Sequence, residues 1–103
     1  MTDAEGYEVG GEFVVCAESK GRLKDTASFH QSLRQKRLGL IDQQVLQVEG
    51  EQYVFVQDYA FQSPSTAAGV TLGRNANGRI EWKDAEGRTL KALQEMHHQK
   101  ASG

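Results

Sequence analysis

The sequence has few residues that constrain a fold covalently or conformationally, with one cysteine and one proline among 103 residues. A single cysteine excludes an intramolecular disulfide, so packing must stabilise the fold. No stretch approaches the roughly 18 consecutive apolar residues of a membrane-spanning helix. The acidic start MTDAEGYEVGGE also lacks the basic flank and apolar centre of a signal peptide. We therefore expect a cytoplasmic protein with no membrane partner.

Residues that carry enzymatic or metal chemistry are equally scarce. None of the three histidines stands in HxxxH or HExxH spacing; they are His30, His97 and His98. Ser63 and Ser65 lack the GxSxG context of a nucleophile elbow, and the glycines lack the order of a phosphate-binding loop. Cys16 lies in the apolar run FVVCA and is expected to be buried. The sequence thus predicts no catalytic residue, no metal site and no cofactor.

Charge is unevenly distributed along the chain, although the net charge is only -2. Residues 1–19 carry five acids and no base, whereas residues 20–37 carry six bases and one acid. From residue 74 onward, six bases face four acids. The two basic blocks are either ordinary solvated surface or parts of one binding surface that folding brings together.

The length and the hydrophobic pattern predict one α+β domain, with a small, mainly antiparallel sheet of about four strands packed with two or three helices. We expect a flexible acidic terminus over residues 1–11, the domain over 12–96 and a flexible tail over 97–103. The longest helix is predicted from about residue 27 to 44, capped by Thr26 or Ser28 and either continuous or broken near Gly39. Residues 46–48 and 52–57 alternate as a hairpin. The second of these strands is apolar on both faces, so we expect it to be central.

The stretch from Phe61 to Lys83 combines many residues with special backbone or packing roles. It predicts a helix capped by Ser63, begun by Pro64 and ended by Gly73, with a small-residue face that allows close packing. An Asn-Gly turn then predicts a strand on which Ile80 and Trp82 share one face, with Trp82 either in the core or a stacking platform. Thr89 is predicted to cap a last helix. The residues with expected structural roles are Ser63, Pro64, Ala67, Ala68, Gly73, Gly78 and Trp82.

This stretch carries a resemblance to the family known as domain of unknown function 4357. The shared residues are Phe61, Ser63-Pro64-Ser65, Ala67-Ala68, Leu72-Gly73-Arg74, Asn77-Gly78, Trp82-Lys83, Gly87 and Thr89-Leu90. The resemblance runs from about Glu12 to Leu93, and the chain departs from the family pattern at residues 17–19 and 69–71. Such domains commonly follow GIY-YIG nuclease domains and resemble a domain that accompanies restriction and adenine-methylase systems. The resemblance therefore implies a DNA-binding accessory role.

No GIY-YIG sequence occurs in this chain. We accordingly expect any associated nuclease to lie on another polypeptide or in a removed segment. The resemblance alone implies this setting, because a shared domain does not fix an activity.

Basic and amide side chains near the Asn-Gly turn suit contacts with DNA phosphates and base edges. The predicted contact residues are Arg74, Asn75, Asn77, Arg79 and Lys83, with Lys36 and Arg37 as possible neighbours. Asn77 is also the residue type that the turn itself favours, and Arg79 and Lys83 also suit the solvent-exposed face of a strand, so none of the three requires DNA. The alternative function is a protein-interaction or oligomerisation domain, either a monomer or a weak homodimer, indicated by the doubly apolar strand.

Overall fold

The computed structural model describes the backbone of residues 3–102 and the side chains of residues 3–96. The strands are β1 (Gly6–Val9), β2 (Glu12–Val15), β3 (Lys20–Arg22), β4 (Leu46–Glu49), β5 (Gln52–Phe55) and β6 (Tyr59–Phe61). The helices are α1 (Gln31–Asp42), α2 (Pro64–Leu72), α3 (Gly78–Glu81) and α4 (Leu90–Ser102). Within the described residues, no helix is long and apolar enough to cross a membrane.

The strands form two antiparallel sheets, with the orders β1-β2-β6 and β3-β5-β4. The α+β class is confirmed, but the strands divide into two sheets of three instead of one sheet of about four. The division occurs after β2, where Glu18 adopts a left-handed backbone conformation with φ 73°. Its N–H donates to the carbonyl of Phe55 at 2.7 Å, which directs the chain toward the second sheet. β5 is the central strand of that sheet, as its apolar residues predicted.

β1 forms within the segment for which the sequence predicted a flexible terminus. Its partner is β2, and the connecting Gly10 and Gly11 have φ of 55° and 85°. Two consecutive positive φ values characterise the tight hairpin turns that match strand twist. Ala4 is also buried against the core. The prediction missed this strand because β1 is fixed by backbone pairing and contributes few apolar side chains; residues 1 and 2 lie outside the described residues.

α2 follows its local sequence signals. The Ser63 hydroxyl accepts the N–H of Thr66 at 3.1 Å, Pro64 is the first helical residue, and Gly73 ends the helix with φ 72°. Ala67 and Ala68 have no exposed surface, so the backbone of α2 packs closely against the sheet. The largest fully buried side chains among the described residues are Phe13, Phe55, Phe61, Leu40, Val15, Val70 and Thr71.

Residues 78–82 do not form the predicted strand. Asn77 caps the short helix α3, its side-chain oxygen accepting the N–H of Arg79 at 3.0 Å. Ile80 is half exposed, whereas Trp82 is buried, so the two side chains do not share a face. The reason is tertiary packing, because Gly78 lies against the backbone of Pro64 and its N–H donates to the Ser65 hydroxyl at 3.0 Å.

The helices α1 and α4 also differ from their predicted bounds. α1 begins at Gln31, without a side-chain cap from Thr26 or Ser28, and continues through Gly39. α4 is capped by Thr89, whose hydroxyl accepts the N–H of Ala92 at 3.1 Å, as predicted. Its backbone remains helical to Ser102, across the predicted flexible tail, of which residue 103 lies outside the described residues.

Two glycine substitutions should change stability in opposite directions. Gly39→Ala should raise the free energy of unfolding by about 1 kcal/mol, because alanine favours the helix and a Cβ there meets no atom within 4 Å. Gly78→Ala should lower it by about 2 kcal/mol, because its Cβ would overlap the Pro64 backbone. Urea titrations followed by circular dichroism measure both values. Equal effects of the two substitutions would contradict this packing.

Candidate functional site

Asn75, a predicted DNA contact, is engaged at both ends of its amide. Its nitrogen donates to the carbonyl of Ser28 at 2.8 Å, and its oxygen accepts the N–H of His30 at 2.9 Å. Asn75 therefore holds the entry to α1, the place where the sequence predicted a local cap. The amide groups that would read an adenine edge are used within the fold.

Arg37 lies in the interior, with 3% of its surface exposed. Its guanidinium donates to the carbonyls of Val70 at 2.9 Å and Leu23 at 3.2 Å, and to that of Arg22. It also lies 4.6 Å from the centre of the Tyr53 ring. Burial lowers the pKa of Arg37 from its ordinary value. Contrary to its predicted role as a phosphate contact, Arg37 is inaccessible to DNA and joins parts of the core.

Two further members of the predicted set also serve the fold. The side chain of Asn77 caps α3, as described above. Lys36 donates from Nζ to the Tyr59 hydroxyl at 2.7 Å, which connects α1 to β6. The contacts of Lys36 therefore give no support to the prediction that Lys36 lies beside the Asn-Gly turn.

Arg74, Arg79 and Lys83 are the predicted cations that retain exposed surface near the turn. Arg74 pairs with Glu81 at 2.9 Å, and 40% of its side chain is exposed. Arg79 is exposed and donates from Nε to Gln94 Oε1 at 2.9 Å. The ammonium group of Lys83 is exposed and has no hydrogen bond or ion pair with residues 3–96.

The next loop is held by a carboxylate. Asp84 accepts the side chain of Arg88 at 2.8 Å and the backbone N–H groups of Glu86 and Arg88 at 3.0 and 2.9 Å. The Arg88 N–H is the largest cause that lowers the pKa of Asp84 below its ordinary value. Arg88 also pairs with Glu86 at 3.0 Å. Two acids thus offset this cation and reduce its attraction for phosphate.

A groove of about 590 Å³, which the sequence did not predict, lies between β1 and residues 82–93. Its apolar lining includes Phe13, Trp82, Leu90 and Leu93. The rings of Phe13 and Trp82 have centroids 4.6 Å apart, and the Trp82 indole N–H donates to the Pro64 carbonyl at 3.0 Å. Trp82 is therefore a core residue that also borders the groove. The available signal was the glycine pair between two alternating segments, which is typical of a hairpin.

Nucleophilic and metal-binding groups are sparse in the described part of the chain. Burial, followed by the nearby carboxylates Asp58 and Glu5, raises the pKa of the Cys16 thiol, which lowers its thiolate fraction at neutral pH. Among the described residues, no three histidine, cysteine or acidic side chains are grouped to hold a metal ion.

A sequence profile described as Domain of unknown function (DUF4357) matches residues 1–94. The chain belongs to this family. The match confirms the resemblance inferred from residues 61–90, and it extends through β1, the strand that borders the groove. No curated protein and no solved structure matches the chain. The architecture of this DUF4357 member is therefore described from its own contacts and not by comparison with a relative.

Arg37 should prove essential for stability. Arg37→Ala should lower the free energy of unfolding by about 3 kcal/mol, because buried carbonyls lose a charged donor and the core gains a cavity. Arg34→Ala is the matched control on the same helix, where an exposed ion pair with Asp25 at 3.1 Å is lost and we expect a change below about 1 kcal/mol. Chemical denaturation measures both. A similar small loss for both variants would contradict the structural role of Arg37.

Proposed function

We propose that the domain is a non-catalytic accessory module that contacts DNA through residues 74–83 and so places a nuclease or methylase partner on DNA. The observation that carries the proposal is the exposure of Arg79 and Lys83 after the fold has used the other predicted contacts. The setting implied by the family resemblance supports the same class of function.

The contact should involve DNA phosphates more than base edges. Asn75 and Asn77 are engaged within the fold, whereas Arg79 and Lys83 present charges that suit phosphate. Arg74 can join them by exchanging its exposed ion pair, because such pairs contribute at most about 1 kcal/mol. Binding would consequently show little sequence preference.

Affinity for DNA should be modest and sensitive to salt. The net charge of the chain is -2, and Arg88 is offset by Asp84 and Glu86. Few phosphate contacts give weak binding, since most of the affinity comes from released counterions. A module of this kind contributes most when a partner protein raises its effective concentration on DNA.

A protein-interaction function is the second candidate, and the groove beside β1 favours it. The predicted basis for this function was the doubly apolar strand β5. In the structure, Val54 of β5 lies between Lys20 of β3 and Gln47 of β4, so its neighbours on that face of the sheet are polar. The groove is lined by Phe13, Trp82, Leu90 and Leu93 and offers a partner a concave apolar surface.

Replacing Arg79 and Lys83 together with alanine should weaken DNA binding and reduce its salt dependence. Fluorescence anisotropy of a labelled duplex at several salt concentrations measures this. Two lost phosphate contacts should lower the slope of log affinity against log salt by about 2 units. Scrambling the duplex sequence should change affinity little.

The matched control is Lys20→Ala with Arg22→Ala, which removes two exposed cations from β3. We expect this variant to retain most of the affinity. The proposal would be wrong if the wild-type domain failed to bind duplex, methylated duplex and single-stranded DNA. Equal losses in the two variants would also contradict it, because they would indicate a general charge effect.

A further inference from the structure

β1 has one edge that remains available for pairing. Its register with β2 pairs Gly6 with Val15, Tyr7 with Val14, Glu8 with Phe13 and Val9 with Glu12. The Cys16 N–H donates to the Glu5 carbonyl at 2.9 Å, so alternate residues 5, 7 and 9 form the hydrogen-bonded pairs. The backbone groups of Gly6 and Glu8 consequently point away from β2. They form no hydrogen bond with the described residues 3–102.

The groove follows this open edge. Gly6, Tyr7 and Glu8 lie on one side, and Leu90 and Leu93 of α4 lie on the other. Gln94 Nε2 donates to Glu8 Oε1 at 2.9 Å, which joins the helix to the strand. The volume of the groove, about 590 Å³, is within the range of ligand pockets. An open strand edge facing a helix over an apolar floor is suited to an added strand.

The charges around the groove select among such segments. Among the described residues that line it, three are acidic, Glu5, Glu8 and Asp84, and one is basic, Lys83. The carboxylate of Asp84 is paired with Arg88, whereas the hydrogen-bond partner of Glu8, Gln94, carries no charge that would offset it. The excess of negative charge favours a cationic occupant.

We propose that the groove binds an extended segment of a partner protein in which aliphatic side chains alternate with lysine or arginine. The segment adds to β1 as a fourth strand of its sheet, pairing with the backbone of Gly6 and Glu8. Its aliphatic side chains enter the apolar floor beside Leu90 and Leu93. Its cationic side chains point to the opposite face, on the side of Glu5, whereas Glu8 shares the face of Phe13 and adds to the negative potential of the groove. This proposal deepens the second candidate function; it shares only Lys83 with the proposed DNA contact, and neither proposal depends on the other.

The probe is the acetylated and amidated heptapeptide Lys-Leu-Lys-Leu-Lys-Leu-Lys, with Glu-Leu-Glu-Leu-Glu-Leu-Glu as its control of opposite charge. Trp82 is the only tryptophan in the chain and borders the groove, so its fluorescence reports binding. We expect saturable binding of the cationic peptide and binding about ten-fold weaker, or none, for the acidic peptide. Amide shifts in nuclear magnetic resonance spectra should concentrate at residues 5–8 and 90–93.

A pair of variants separates strand addition from simple charge attraction. Glu8→Pro removes the outward N–H while sparing the hydrogen bonds of Tyr7 and Val9 with β2, a position where an edge strand accepts proline. Glu8→Ala removes the same carboxylate but keeps the N–H. The proline variant should bind the peptide about ten-fold more weakly than the alanine variant.

N-methylated peptides test the same point without altering the protein. In an added strand, alternate N–H groups face β1, so methylation of one alternate set should abolish binding and methylation of the other set should not. The proposal is overturned if the cationic peptide shows no saturable binding, or if it shifts the amide resonances of residues outside the groove. Equal binding of both methylated sets, or of both Glu8 variants when folded, also overturns it.

Discussion

The buried guanidinium of Arg37 connects the parts of the chain that define this fold. Its donors reach carbonyls of α2, of β3 and of the following loop, while aromatic rings of Phe29 and Tyr53 cover it. A buried cation is tolerated only when its hydrogen bonds are satisfied. Gly73 is part of the same arrangement, because a Cβ there would crowd the Lys24 carbonyl and the guanidinium. The end of α2 is thus fixed by conformation and by space.

The residues that were predicted correctly act over short distances along the chain. Ser63, Pro64 and Gly73 determine α2 through its own backbone, and the alternating residues of β4 and β5 form the expected hairpin. Such local signals are readable because cap and turn geometry depend on few neighbours. The α+β class followed from them.

The missed features depend on contacts between distant segments. Asn75 reaches across 47 residues to Ser28, and Gly78 takes its conformation from packing against Pro64. Neither contact has a signature in the neighbouring sequence. The Asn-Gly pair therefore predicted a hairpin turn, whereas the structure has the short helix α3 capped by Asn77. The candidate site changed for the same reason. Residues that looked chemically suited to DNA were often those whose polar groups complete the fold, which leaves phosphate contact by Arg79 and Lys83 as the coherent part of the prediction.

The open edge of β1 also bears on how copies of this protein behave in solution. An unpaired strand edge is a hazard, since two molecules can join edge to edge and continue into aggregates. β1 has only four residues, its backbone at Glu8 faces the open edge, and Glu5 directly precedes the strand. Two copies pairing through this edge would bring like charges together, which is unfavourable. The acids that would attract a cationic segment would therefore also disfavour pairing between two copies through this edge.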